Sequence, residues 1–207
     1  MFDFAQSPVP VREDLKNTYQ RIWNHFAEPG PVLDAAQRST LLASVRAGAV
    51  ATTNVIPPAL GRLASTLYTD PAAVSESTVR NAAEETGDAA AAETVGLVAL
   101  LSAVDGAHRA LGVDLVALPE PLPGPATGNI ATGLKRRRTH LPMPPDAIPG
   151  AIDLVPEVAA VYRDSFGPQY MTEQDMALSD FERSPGLNRA QIELVSSRTS
   201  LINECFY

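Results

Sequence analysis

Cysteine is almost absent from this chain: Cys205 is the only one in 207 residues. That excludes an intramolecular disulfide framework and fits a reducing cytoplasm. Basic charge is also scarce, with 16 Lys and Arg against 24 Asp and Glu and a formal charge of −8. Such a balance repels a phosphate backbone, so nonspecific nucleic-acid binding has no electrostatic driving force. The single dense basic run, Lys135, Arg136, Arg137 and Arg138, lies in a proline-rich stretch and reads as solvated linker. Long apolar runs are missing too. The most apolar stretch, Val95 to Val104, is bracketed by Glu93 and Asp105 and is about half the ~20 residues of a membrane span, so it reads as a buried helix. The start, MFDFAQSPVP, lacks the basic and apolar segments of a signal peptide. His25, His108 and His140 are scattered without ligand spacing, and no phosphate loop, serine elbow or dinucleotide fingerprint occurs, so neither a metal nor a cofactor is expected.

Apolar residues at helical intervals are plentiful, and no run sustains strand alternation. Leu15, Tyr19, Ile22, Trp23 and Phe26 predict an amphipathic helix from Val11 to Ala27, stopped by Pro29-Gly30. Asp34 can cap a second helix through about Val50, and a third begins at Pro58 with Leu60, Leu63 and Leu67 inward. Ser75 or Ser77 caps a polar fourth. A fifth runs from Asp88 to Leu111 and ends at Gly112, a residue suited to a left-handed cap. His108 on this helix reads as a hydrogen-bonded packing residue.

Eight prolines between Pro119 and Pro149 exclude a continuous helix or central strand there. They divide the chain into an N-terminal helical region (1–118), a linker (119–150) and a C-terminal part (151–207). In that last part Pro156 opens a helix carrying Val158, Val161, Tyr162 and Phe166, and Thr172 caps another through Phe181. Asn188 and Gln191 have capping-box spacing, with Ile192, Leu194, Val195 and Leu201 as the buried face that follows. Placing Arg46 against Arg198 aligns Leu42-Ala43-Ser44 with Leu194-Val195-Ser196, a short candidate repeat. The expected fold is all-α, a helical bundle.

The chemistry concentrates in GLNRAQIELVSSRTSLINECFY, Gly186 to Tyr207, where Glu193 and Cys205 stand twelve residues apart. Asn203 can break the helix just before the cysteine, and a cysteine opening a following helix has its thiolate favoured by the backbone N–H groups there. The plain alternative for Cys205 is a small buried hydrophobe, and for Glu193 a first-turn carboxylate favouring the helix dipole.

This segment resembles the core of the alkylhydroperoxidase D-like family, related to carboxymuconolactone decarboxylases, whose redox-active members carry a glutamate, eleven residues, Cys-x-x-Cys and then a histidine. Glu193 and Cys205 match the first two elements. More weakly, IWNHFAEPG and VGLVALLSAVDGAHRALG resemble the N-terminal half of longer, two-part members, and Pro142 to Gly186 resembles the lead-in to the core. The resemblance implies a thiol-dependent peroxidase or disulfide oxidoreductase that reduces hydroperoxides with electrons from a thiol partner. Cys205 would be the resolving thiol and Glu193 the proton-relay carboxylate, within a homo-oligomer. The second, attacking cysteine of the pattern would fall immediately after Tyr207. One expectation is therefore that the next codon is UGA and encodes selenocysteine; a nonsense mutation or an arbitrary boundary are the alternatives. Two other readings stay open: a carboxymuconolactone decarboxylase-like lyase, and a noncatalytic helical binding or oligomerisation module.

Overall fold

A computed structural model of the chain describes residues 2–51, 55–137, 139–145, 150, 152–183 and 186–204. Among the described residues it is an all-α helical bundle with no strand; isolated bridges include Lys135 with Met143 and Glu182 with Asn188. The helices are α1 (Glu13–Ala27), α2 (Ala35–Arg46), α3 (Pro58–Thr69), α4 (Glu76–Thr86), α5 (Asp88–Leu111), α6 (Pro156–Gln169), α7 (Glu173–Met176) and α8 (Arg189–Ile202), with a 3-10 turn at Pro71–Ala73.

Local chemistry sets most of the boundaries. Asp34 and Ser75 each accept from the backbone N–H three residues on, and Gln37 and Thr78 return the bond in reciprocal capping boxes. Pro58 and Pro156 occupy first turns, where a missing N–H costs nothing. Gly112 takes the left-handed conformation, φ 65°, that ends α5. Three helices are shorter than the sequence predicts, the first only because α1 starts at Glu13 rather than Val11. α2 stops at Arg46 rather than Val50, because Gly48 turns to φ 67°. α7 stops at Met176 rather than Phe181, although Thr172 and Asp175 do exchange the expected cap bonds.

α5 is the axis of the bundle. It is 24 residues long and, with a mean hydropathy of 1.4 in its most apolar window, is long and apolar enough to cross a membrane; 67% of that window is nevertheless buried inside the fold. The apolar stretch is thus longer than Val95 to Val104, because Ala90, Ala91 and Ala92 extend it past Glu93. α3 and α4 pack along one side of α5, α1 and α2 along another, and α6 closes over α5 and α1. Trp23, Phe26, Leu41, Leu42, Leu60, Leu63, Leu97 and Leu101 form the core, joined by Leu141 from the proline-rich segment and by Ile152, Val155, Val158 and Ala159 from beyond it. That segment runs along the first helices and hydrogen-bonds to them: Leu122 N–H donates to Ala27 O, Thr127 N–H to Gly30 O and Gly128 N–H to Pro31 O. Trp23 Nε1 donates to Ala117 O at 2.8 Å.

The α5–α6 contact depends on Gly96. A Cβ there would sit 2.4 Å from Val158 Cγ1, well inside contact distance. Gly96→Ala should therefore lower stability by about 1–3 kcal/mol despite alanine's ~1 kcal/mol helix advantage. Adding Val158→Ala should recover part of the loss in urea unfolding, and an unchanged midpoint in Gly96→Ala would show that the contact yields freely.

Candidate functional site

Two buried carboxylates on α5 anchor the N-terminal region. Glu93 and Arg38 are both fully buried, with Arg38 Nε 2.6 Å from Glu93 Oε1. The other oxygen of Glu93 accepts the N–H groups of Val32 and Leu33 at 2.7 and 3.0 Å, while Arg38 Nη1 donates to the carbonyls of His25 and Glu28. Asp105 pairs with Arg46 and accepts from the Tyr68 hydroxyl at 2.6 Å, and Arg46 also donates to Val116 O and stacks over Trp23. These networks tie loops to helices in the closed core and offer no cleft for a substrate. His108 is likewise a packing residue: Nδ1 lies 2.8 Å from Val104 O, and the ring touches Phe2, Phe4 and Tyr19.

The C-terminal part has the opposite character. Asn188 and Gln191 form their capping box, but the face expected to be buried behind it is not. Leu194, Val195 and Leu201 are 71%, 58% and 66% exposed, and α8 buries no residue. Heptad-like spacing identifies an apolar face; it does not supply a neighbour to cover it. The proposed repeat partners consequently differ in setting, since Leu42 is buried and Arg46 holds Asp105, whereas Leu194 faces outward.

Instead, α8 turns Ile192, Ser196 and Ser200 toward the end of α6, enclosing a cleft of about 1050 Å³ whose other walls include Tyr162, Phe166, Tyr170, Met176 and Leu187. Glu193 adjoins it through Tyr170. Its Oε2 accepts from the Tyr170 hydroxyl at 2.7 Å, and Arg189 lies 3.8 Å from its other oxygen. Burial, reinforced by the Glu193 carboxylate, raises the Tyr170 pKa, so the phenol stays a donor at neutral pH. Arg183 Nη2 donates to Gly167 O at 2.8 Å and also to Tyr170 O, and Arg12, paired with Asp14, donates to Pro168 O. These arginines thereby satisfy the carbonyls at the C-terminal end of α6.

Cys205 lies outside the described residues. Glu193 precedes the last residue of α8 by nine positions, or ~13 Å of helix rise, so it stands well away from the helix end that leads to the cysteine. The structure joins Glu193 to Arg189, four residues earlier on the same helix, and to Tyr170, which the sequence does not single out because that contact depends on how α6 and α8 meet. Among the described residues no three His, Cys, Asp or Glu side chains gather as a metal-ligand set. No protein-family model matches the chain, and comparison with curated proteins and with solved structures gives no match.

Proposed function

We propose that the protein is a thiol-dependent peroxidase or disulfide oxidoreductase of the alkylhydroperoxidase D-like type, acting in a reducing compartment. The observation that carries this reading is Glu193, a partly exposed carboxylate that accepts from the cleft-lining Tyr170, twelve residues before the only cysteine. In the chemistry proposed, a second thiolate, which the family pattern places after Cys205 and which these 207 residues do not hold, takes the terminal oxygen of a hydroperoxide, becomes a sulfenic acid and, with one proton, releases the alcohol. The Cys205 thiol then displaces water from that sulfur to close a disulfide, and an external dithiol returns two electrons and two protons. Glu193 serves as the relay carboxylate. At its distance along α8 it acts through an intervening proton carrier, the place that the family pattern gives to a histidine.

Because Cys205 is the sole cysteine, the 207-residue chain by itself should behave as a single reactive thiol. A disulfide reagent should titrate one thiol in the native protein, and organic hydroperoxide should yield a trappable sulfenic acid or a Cys205–Cys205 dimer without turnover. Sustained peroxide reduction by this chain would overturn the assigned roles. Labelling only after unfolding would favour the second reading, a noncatalytic oligomerisation module. The observation behind that alternative is the set of exposed apolar side chains on α8, Leu194, Leu201 and Ile202, since grouped exposed apolar residues mark interaction surfaces. Association through this face also accounts for the proposed homo-oligomer under either reading.

A further inference from the structure

The cleft between α6 and α8 has an asymmetric lining. Tyr162, Phe166, Met176, Leu187, Ile192 and Val195 supply its apolar lining, and Arg183, bonded to the end of α6, lines it too. Arg12, the other cation on the lining, is committed to Asp14 and to Pro168 O. Arg183 differs. Only its Nη2 is engaged, with Gly167 O and Tyr170 O, and its face rests over the Phe181 ring at 5.7 Å. Its Nε and Nη1 have no hydrogen-bond or ion-pair partner among the described residues. The carboxylates nearest this end are already held: Asp14 by Arg12, Asp175 by the backbone of Thr172, and Glu193 by Tyr170. None of the three lines the cleft.

We propose that this cleft binds an amphipathic monocarboxylate of the fatty-acid class, its chain along the apolar wall and its carboxylate on the free edge of Arg183. A planar guanidinium with two unused N–H directions matches a carboxylate, and the volume lies at the upper end of the ~300–1,000 Å³ range typical of small-molecule sites. Burial and the neighbouring charge of Arg12 lower the Arg183 pKa, against the opposing pull of Asp14 and Asp175. The site goes beyond the thiol chemistry and stands without it, so binding should be the same in Cys205→Ser.

The test is calorimetric titration of the full chain with dodecanoate below its micellar concentration, beside dodecanol and acetate. Dodecanoate should bind one per chain, with dodecanol and acetate each at least roughly tenfold weaker, the loss expected for removing a charge-assisted contact or the chain. Arg183→Gln should weaken dodecanoate by roughly tenfold or more. Because Arg183 also caps α6, Ser200→Trp provides an independent variant: it fills the cleft from the surface of α8, and should abolish binding while the circular dichroism stays helical. Equal affinity for dodecanol, wild-type binding in a folded Ser200→Trp, or no saturable binding of dodecanoate would each overturn the proposal. Loss of binding in Cys205→Ser would overturn its independence from the thiol.

Discussion

Glu93→Leu is expected to cost about 3–5 kcal/mol, the largest effect of any single substitution in this protein. The carboxylate is fully buried and serves three donors at once: the Arg38 guanidinium and the N–H groups of Val32 and Leu33. Its removal leaves a buried guanidinium without a counter-charge and two backbone donors without acceptors, each penalised by the full desolvation cost. Arg38→Met should be similarly costly, since the carbonyls of His25 and Glu28 lose their donor as well. The double variant Arg38→Met/Glu93→Leu should cost far less than the sum, because neither charge is then stranded. Urea unfolding of the four proteins forms a double-mutant cycle. Additive losses would show that the two side chains act separately, against the geometry; a midpoint for Glu93→Leu within error of the parent would remove the pair from the account of stability altogether.

That pair also marks the limit of what the sequence discloses. Glu93 stands out in the sequence only as a charge bracketing the apolar run Val95 to Val104, inside a helix whose bounds, Asp88 to Leu111, the sequence does disclose. Its partner lies 55 residues earlier on α2, and no local pattern connects the two. Features governed by neighbours a few residues apart were legible in advance: the caps at Asp34, Ser75 and Asn188, the prolines opening α3 and α6, and the glycine closing α5. Periodicity correctly marked Ile22, Leu60 and Leu63 as inward because other helices cover them, and failed at Leu194 and Leu201 because none does. The candidate site divides in the same way. Spacing singled out Glu193, whereas Tyr170 and Arg183 emerge only when α6 and α8 are placed in space, 23 and 10 residues from Glu193 along the chain.

Acidification should destabilise the protein through His25 by about 3 kcal/mol in all. This histidine on α1 is 7% exposed. Burial, with the Arg38 charge adding to it, lowers its pKa from the ordinary 6.5 to about 4. Around the ring the charged groups are Arg38, whose guanidinium holds the His25 carbonyl, and Glu28, whose carboxylate lies 3.9 Å from Nδ1 and is too exposed to offset burial. Nε2 has no hydrogen-bond partner among the described residues, so a proton there would gain nothing to hold it. The sign follows from proton counting. The unfolded chain binds a proton at His25 below about pH 6.5 and the folded chain not until about pH 4. The stabilisation is therefore complete above 6.5, falls progressively as pH drops through the interval, and is gone below 4. Carboxylates begin to titrate at the lower end of the same window, so the measurement is a difference: unfolding free energy against pH for the parent and for His25→Gln. The parent should lose close to one proton's slope more than the variant between pH 6.5 and 4.5. Parallel curves, or an NMR titration of the folded His25 ring centred near 6.5, would contradict the closed environment that α1, Arg38 and the loop after α1 build around it.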